Sequence, residues 1–141
     1  MGQIKTARIE WQGEDLQFLG TLGSGYEFKV SSPATSEGGS PMEFLLAGVA
    51  GCTAMDIIHI LRKKRQLVDG LIVEISGERA EEHPQVYTKV DVTYVVRGEG
   101  IATKAIEDAI QLSQDKYCSA SILFKQAGVQ IHTDYRIEPV S

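Results

Sequence analysis

The chain has 141 residues, 43% of them hydrophobic and 23% charged, with a formal net charge of −5 at pH 7. This length suits a single domain over residues 1–141 with enough chain to bury a core, and the acidic balance excludes nucleic-acid binding as its main task, because phosphates need a basic face. Two cysteines, with no apolar secretory segment, point to a cytoplasmic protein carrying free thiols or a redox pair rather than a structural staple, and two cysteines alone do not make a zinc site.

Residues 4–12 (IKTARIEWQ) place Ala7, Ile9 and Trp11 on one face and Ile4, Thr6, Arg8 and Glu10 on the other. This reads as a strand with one face on the core. The opening MGQIKT also fits the loose N-myristoylation pattern, but the strand reading is preferred. Gly13 to Asp15 turns, and Leu16, Phe18 and Leu19 begin a second short strand that Gly20 ends. After the Gly23-Ser24-Gly25 turn, Tyr26, Phe28 and Val30 alternate strictly, giving a strand over 26–31. The opening is an antiparallel meander. Residues 31–41 (SSPATSEGGSP) are small, polar and rich in turn formers, and form a loop.

Ser40-Pro41-Met42-Glu43 is a helix start. Serine caps, proline suits the first helical position, and the glutamate bonds back to the cap. The helix to Arg65 runs on the order of 37 Å, and its closing Arg62-Lys63-Lys64-Arg65 suits the negative end of the dipole. Its first half is apolar nearly all round and rich in Ala and Gly, the pattern of a helix buried on most sides and closely approached by another backbone. Interrupted by Asp56 and His59, the apolar run is too short to span a bilayer.

Leu71 to Gly77 reads as a strand and Glu78 to Pro84 as an exposed hairpin. Val86 to Arg97 is a long strand with Val86, Thr88, Val90, Val92, Tyr94 and Val96 on one face. Ile101 to Lys116 has helical spacing, a short helix runs from Cys118 to Gln126, and Val129 and Ile131 start the last strand. The fold class is α+β, a mostly antiparallel sheet with a long central helix.

Cys52 lies in the middle of the apolar helix, where a cysteine ordinarily serves as a small hydrophobe. It is three turns from the N-terminus that would activate it. Asp56 and His59 share its face; the carboxylate opposes a thiolate and a charged imidazole favours one. The plain reading of His59 is a partly buried polar group with a backbone or carboxylate partner. Cys118 stands at a helix junction beside Lys116, with Ser119 and Ser121 as candidate caps, so the following helix favours its thiolate. Glu43 is explained as the capping-box partner of Ser40.

The segment GGSPMEFLLAGVAGCTAMDI resembles the first-cysteine segment of the OsmC/Ohr superfamily, in which a Gly/Ser-Pro loop leads into a long central helix. KYCSAS resembles its second-cysteine segment, with Ser121 following Cys118, and ARIEWQGE resembles the opening strand of OsmC-type members. The resemblance implies an intertwined homodimer whose two central helices pack together, with the sites at the dimer interface. It implies a cytoplasmic, cysteine-based peroxidase of oxidative stress that reduces organic hydroperoxides without cofactor or metal, and no nucleic-acid or membrane partner. The cysteine matching Cys52 attacks the peroxide, the one matching Cys118 resolves the sulfenic acid, and a dithiol reductant regenerates both.

One position departs from the pattern. In the family's peroxidases an arginine from the N-terminal half pairs with the reactive thiolate, held by a glutamate just after the helix-start proline. Here Met42 follows Pro41, the acid is Glu43, and no arginine lies between Arg8 and Cys52. Glu43 is therefore the third candidate site residue, and the activating cation is His59, a basic group of the partner chain, or absent. If absent, the chain is a non-peroxidatic dimer binding a small apolar or thiol-reactive ligand between subunits. A purely structural protein would leave the match of both cysteine segments unexplained.

Overall fold

The structure, a computed structural model, describes residues 2–140. The chain divides into two compact units, with the boundary between Leu45 and Leu46.

The first unit holds a three-stranded antiparallel sheet of β1 (Ala7–Trp11), β2 (Gln17–Leu22) and β3 (Glu27–Ser31), in that order. Gly20 does not end β2 as expected. It pairs opposite Phe28, and a side chain there would collide with the Phe28 ring, so glycine makes room for an aromatic inside the sheet. Phe28 in turn meets Phe44 edge-on, with centroids 5.2 Å apart. The core face expected for β1 is also corrected: all five of its residues are exposed, so no described part of the chain covers its Ala7, Ile9 and Trp11 face.

The helix α1 (Pro41–Lys63) starts where the sequence places it. Ser40 N donates to Glu43 Oε1 at 2.9 Å and Glu43 N to Ser40 Oγ at 3.4 Å, a reciprocal capping box. Along α1, Val49, Thr53, Ile57, Ile60 and Leu61 are buried, a single stripe at helical spacing.

The second unit contains most of α1 and a sheet of order β4-β5-β6, formed by β4 (Gly70–Arg79), β5 (Tyr87–Arg97) and β6 (Gln130–Glu138). β4 pairs antiparallel with β5, and β5 pairs parallel with β6. The chain covers the parallel crossover with α2 (Thr103–Leu112), a π-helical turn over Ser113–Tyr117, and α3 (Ser119–Gln126). Central β5 buries Val90, Val92, Tyr94, Val95 and Val96, and α2 buries Ala105, Ile106, Ala109 and Ile110. The exposed hairpin expected from Glu78 starts later, since β4 continues through a bulge to Arg79. The helix expected to reach Lys116 stops at Leu112 and widens into the π turn.

The expectation that α1 is too short to cross a membrane is not upheld by its length. At 23 residues, with an 18-residue window of mean hydropathy 1.9, it passes that test by length and composition, a test that core helices also pass. Its buried stripe and the hydrogen bond from Thr53 to Tyr94 of β5, 2.7 Å long, place it against the sheet of its own unit.

Replacing Ser40 with alanine removes the cap and should lower stability by about 1 kcal/mol in urea unfolding. The Glu43 carboxyl is held below its ordinary range by the Ser40 amide and then the Ser40 hydroxyl. Its contribution is thus complete above about pH 4.3 and fades as pH falls through the lowered folded value. Wild type should be more stable than Glu43→Gln at pH 7, and the gap should close in acid.

Candidate functional site

The reactive residues come from two places in the second unit. Cys52 sits on α1 and is half-buried; Cys118, fully buried, links the π turn to α3. The sulfurs of Cys52 and Cys118 and a carboxylate oxygen of Asp56 all lie within 4.8 Å of one another. The two cysteines, 66 positions apart by their numbers (118 less 52), are brought together as free thiols.

The π turn makes this possible. Cys118 N donates to Ser113 O at 2.7 Å, and the widened turn buries both Ser113 and Gln114. Lys125 Nζ donates to Gln114 O at 2.8 Å and holds the turn from α3. Cys118 itself, rather than Ser119 or Ser121, caps α3: its sulfur accepts from Ser121 N at 3.3 Å. The helix end favours a thiolate, yet the Cys118 thiol is pushed above its ordinary range. Burial is the largest cause, the Ser121 hydrogen bonds oppose it, and Cys52 alongside adds to the rise. Desolvation therefore wins over the cap.

A largely buried hydrogen-bond chain ends on Asp56, beside the sulfurs. Ser113 Oγ donates to Asp56 Oδ2 at 2.9 Å. Each hydroxyl has one proton, so Ser113 must accept from Thr53, 2.7 Å away. Thr53 must then accept from the Tyr94 hydroxyl, also at 2.7 Å. Gln114 Nε2 donates to Tyr94 OH and to Ser121 Oγ, each at 3.2 Å. Burial pushes the Tyr94 hydroxyl up, assisted by the nearby Cys118 and Asp56 charges and opposed by its bonds to Thr53 and Gln114, so it keeps the proton it donates. Every hydroxyl in the run points its proton toward the Asp56 carboxylate. Gln114 Oε1 is buried with no hydrogen-bond partner among the described residues.

Other sequence candidates lie elsewhere. Glu43 is bonded to Ser40 in the capping box at the start of α1, nine residues before Cys52 in sequence. His59 is exposed, correcting its reading as a partly buried group, and lines a surface groove with Ala54, Met55, Ile58, Arg62 and Leu71. Arg8 pairs with Glu10 at 3.3 Å, and Lys116 lies over the Tyr117 ring, 5.2 Å from its centroid. The sequence reading missed Thr53, Tyr94, Ser113 and Gln114. Their signal was a polar group on a buried phase: Thr53 follows Val49 by four residues, and Ser113 and Gln114 follow Ala109 and Ile110 by four.

Two chemistries fit this arrangement. The sulfurs need to approach by less than about 3 Å to bond to each other. The same three donor atoms are also of the kinds that ligate a thiophilic cation.

The sequence model of the family described as OsmC-like protein matches residues 34–134. The chain belongs to the OsmC-like family. It is 35% identical over 131 residues to protein YhfA of Escherichia coli K12, covering 93% of this chain and 96% of that one. Among solved structures it resembles a hypothetical protein from Aquifex aeolicus VF5 at a TM-score of 0.88 and 31% identity, over 99% of this chain and 100% of that one. An organic hydroperoxide resistance protein from Elizabethkingia anophelis shares the fold at a TM-score of 0.72 and 15% identity, over 98% of this chain and 99% of the other. The α+β architecture with a central helix is thus that of the OsmC/Ohr superfamily.

Thr53→Val preserves shape but leaves Tyr94 and Ser113 short of a buried partner. It should cost about 1–3 kcal/mol, measured by urea unfolding of the reduced protein.

Proposed function

We propose that this chain is a thiol-dependent peroxidase for organic hydroperoxides, working through Cys52 and Cys118. The observation that carries this reading is the pair of free thiols within 4.8 Å of each other on an OsmC-like chain whose structural neighbours include organic hydroperoxide resistance proteins. Cys52 is the half-exposed sulfur and Cys118 the buried one whose thiol is pushed up, so Cys52 is the nucleophile. Its thiolate attacks the O–O bond, gives a sulfenic acid and releases the alkoxide, which takes a proton to leave as alcohol. The Cys118 thiol then displaces hydroxide from the Cys52 sulfur, its proton leaving as water, and a disulfide forms. A dithiol reductant returns both thiols and becomes oxidised. Glu43 enters through its capping box with Ser40, which fixes the start of the helix that carries Cys52.

The functional unit in this reading is one OsmC-like domain in a cytoplasmic homodimer. The family match spans the Leu45/Leu46 boundary. Gly48 and Gly51 of α1 have open space where a side chain would sit, and Leu45 and Met55 are exposed. Helical glycines cost roughly 1 kcal/mol each against alanine, and close approach of a second copy's backbone gives them a use. Asp56 within 4.8 Å of both sulfurs favours the second reading, a dimer binding a small apolar or thiol-reactive ligand, because a carboxylate opposes the thiolate.

Reduced wild type mixed with cumene hydroperoxide should lose both thiols and gain an intramolecular disulfide. Cys118→Ser should stop at the sulfenic acid, and Cys52→Ser should keep its thiol. Retention of both thiols in wild type at millimolar peroxide ends the peroxidase reading. Light scattering should report a dimer for wild type and a weaker one for Met55→Glu; a wild-type monomer removes the dimer.

A further inference from the structure

Among the described residues, Cys52, Asp56 and Cys118 bring three ligating atoms of two chemical kinds within 4.8 Å of one another. In tetrahedral zinc sites, with Zn–S about 2.3 Å and Zn–O about 2.0–2.2 Å, ligand atoms stand roughly 3.5–4 Å apart. The observed spacing therefore needs only a small contraction. We propose that Cys52, Asp56 and Cys118 form a binding site for a thiophilic divalent cation of the zinc type, with the fourth position left to water.

Three further features support the assignment. First, the donor set is right for the ion: thiolate sulfurs select zinc over magnesium or calcium, and a carboxylate oxygen completes a mixed sulfur–oxygen site. Second, the site has outer support on the carboxylate and on one sulfur. Ser113 Oγ holds Asp56 Oδ2 at 2.9 Å, and Ser121 N holds the Cys118 sulfur at 3.3 Å. Such contacts orient ligands in metal sites. The donor run from Gln114 through Tyr94, Thr53 and Ser113 reinforces the first of them. Third, among the described residues Asp56 makes no ion pair: Lys116 lies over the Tyr117 ring, Lys125 donates to Gln114 O, and His59 lines a surface groove. A carboxylate beside two ionisable thiols is an electrostatic conflict that a divalent ion resolves. The half-exposed Cys52 side provides a route in.

Binding balances simply. Two S–H bonds break, two protons go to solvent, two metal–sulfur bonds and one metal–oxygen bond form, and no electrons move. The same sulfurs joined as a disulfide cannot bind the ion, so occupancy belongs to the reduced protein alone.

The test is titration of the reduced, tag-free full chain with Co²⁺ as a spectroscopic probe, followed by Zn²⁺. The expected result is one cobalt per chain, a thiolate-to-cobalt charge-transfer band with the visible bands of tetrahedral cobalt, and displacement by Zn²⁺. Cys52→Ser should remove about half of the charge-transfer intensity. Asp56→Asn, which keeps both sulfurs and the side-chain shape, should weaken affinity at least about tenfold, with circular dichroism confirming its fold. The proposal is overturned if reduced wild type gives no charge-transfer band, or if Asp56→Asn binds as tightly as wild type. Peroxide turnover enters none of these readouts, so this result and that of the peroxidase assay stand apart.

Discussion

The Thr53 hydroxyl ties the second unit together. It stands 2.7 Å from both Tyr94 OH and Ser113 Oγ, so one atom on α1 joins the central strand to the π turn. Because a hydroxyl has a single proton, its donation to Ser113 sets the direction of the whole run. The polarity of that run is dictated at its far end by Asp56, which in its charged form only accepts. A buried polar network of this kind rigidifies when every member is satisfied, and the unpartnered Gln114 Oε1 marks where it is incomplete.

The consequence is a site in which two tendencies oppose each other. The N-terminus of α3 and the Ser121 amide favour charge on the Cys118 sulfur, while burial and the neighbouring Cys52 resist it, and the resistance prevails. Within one chain, the pair therefore divides into an accessible sulfur and a protected one. Asp56 belongs to the same cluster, and its presence distinguishes this centre from a thiol pair activated by an arginine. Burial alone disfavours the charged form of the Cys118 thiol, and a positive species arriving from outside the chain would oppose that.

Much of the fold was legible from local chemistry. The helix start at Ser40 was readable because a capping box is a contact among neighbours in sequence, and the long strand over β5 because one face is apolar at every second residue. The meeting of Cys52 and Cys118 was implied by family resemblance, since nothing in the spacing of two distant cysteines reports their separation. The π turn was not legible: an extra residue in a helical turn leaves the composition unchanged, so the pattern reads as an uninterrupted helix. The bare exposure of β1 was also hidden, because alternation reports which face is apolar and not whether anything covers it.

The parallel pairing of β5 with β6 bears on how the protein is made. Parallel strands need a crossover, and here the crossover is the segment of α2, the π turn and α3 that carries Cys118. The third strand of this sheet cannot close until that segment is threaded, and non-local pairings of this kind form slowly. During synthesis Cys52 emerges first, on a helix whose burying partners do not yet exist. The thiol that ends up half-buried thus begins as an open one, and the second sulfur that comes to lie beside it is supplied only when the crossover segment has been made.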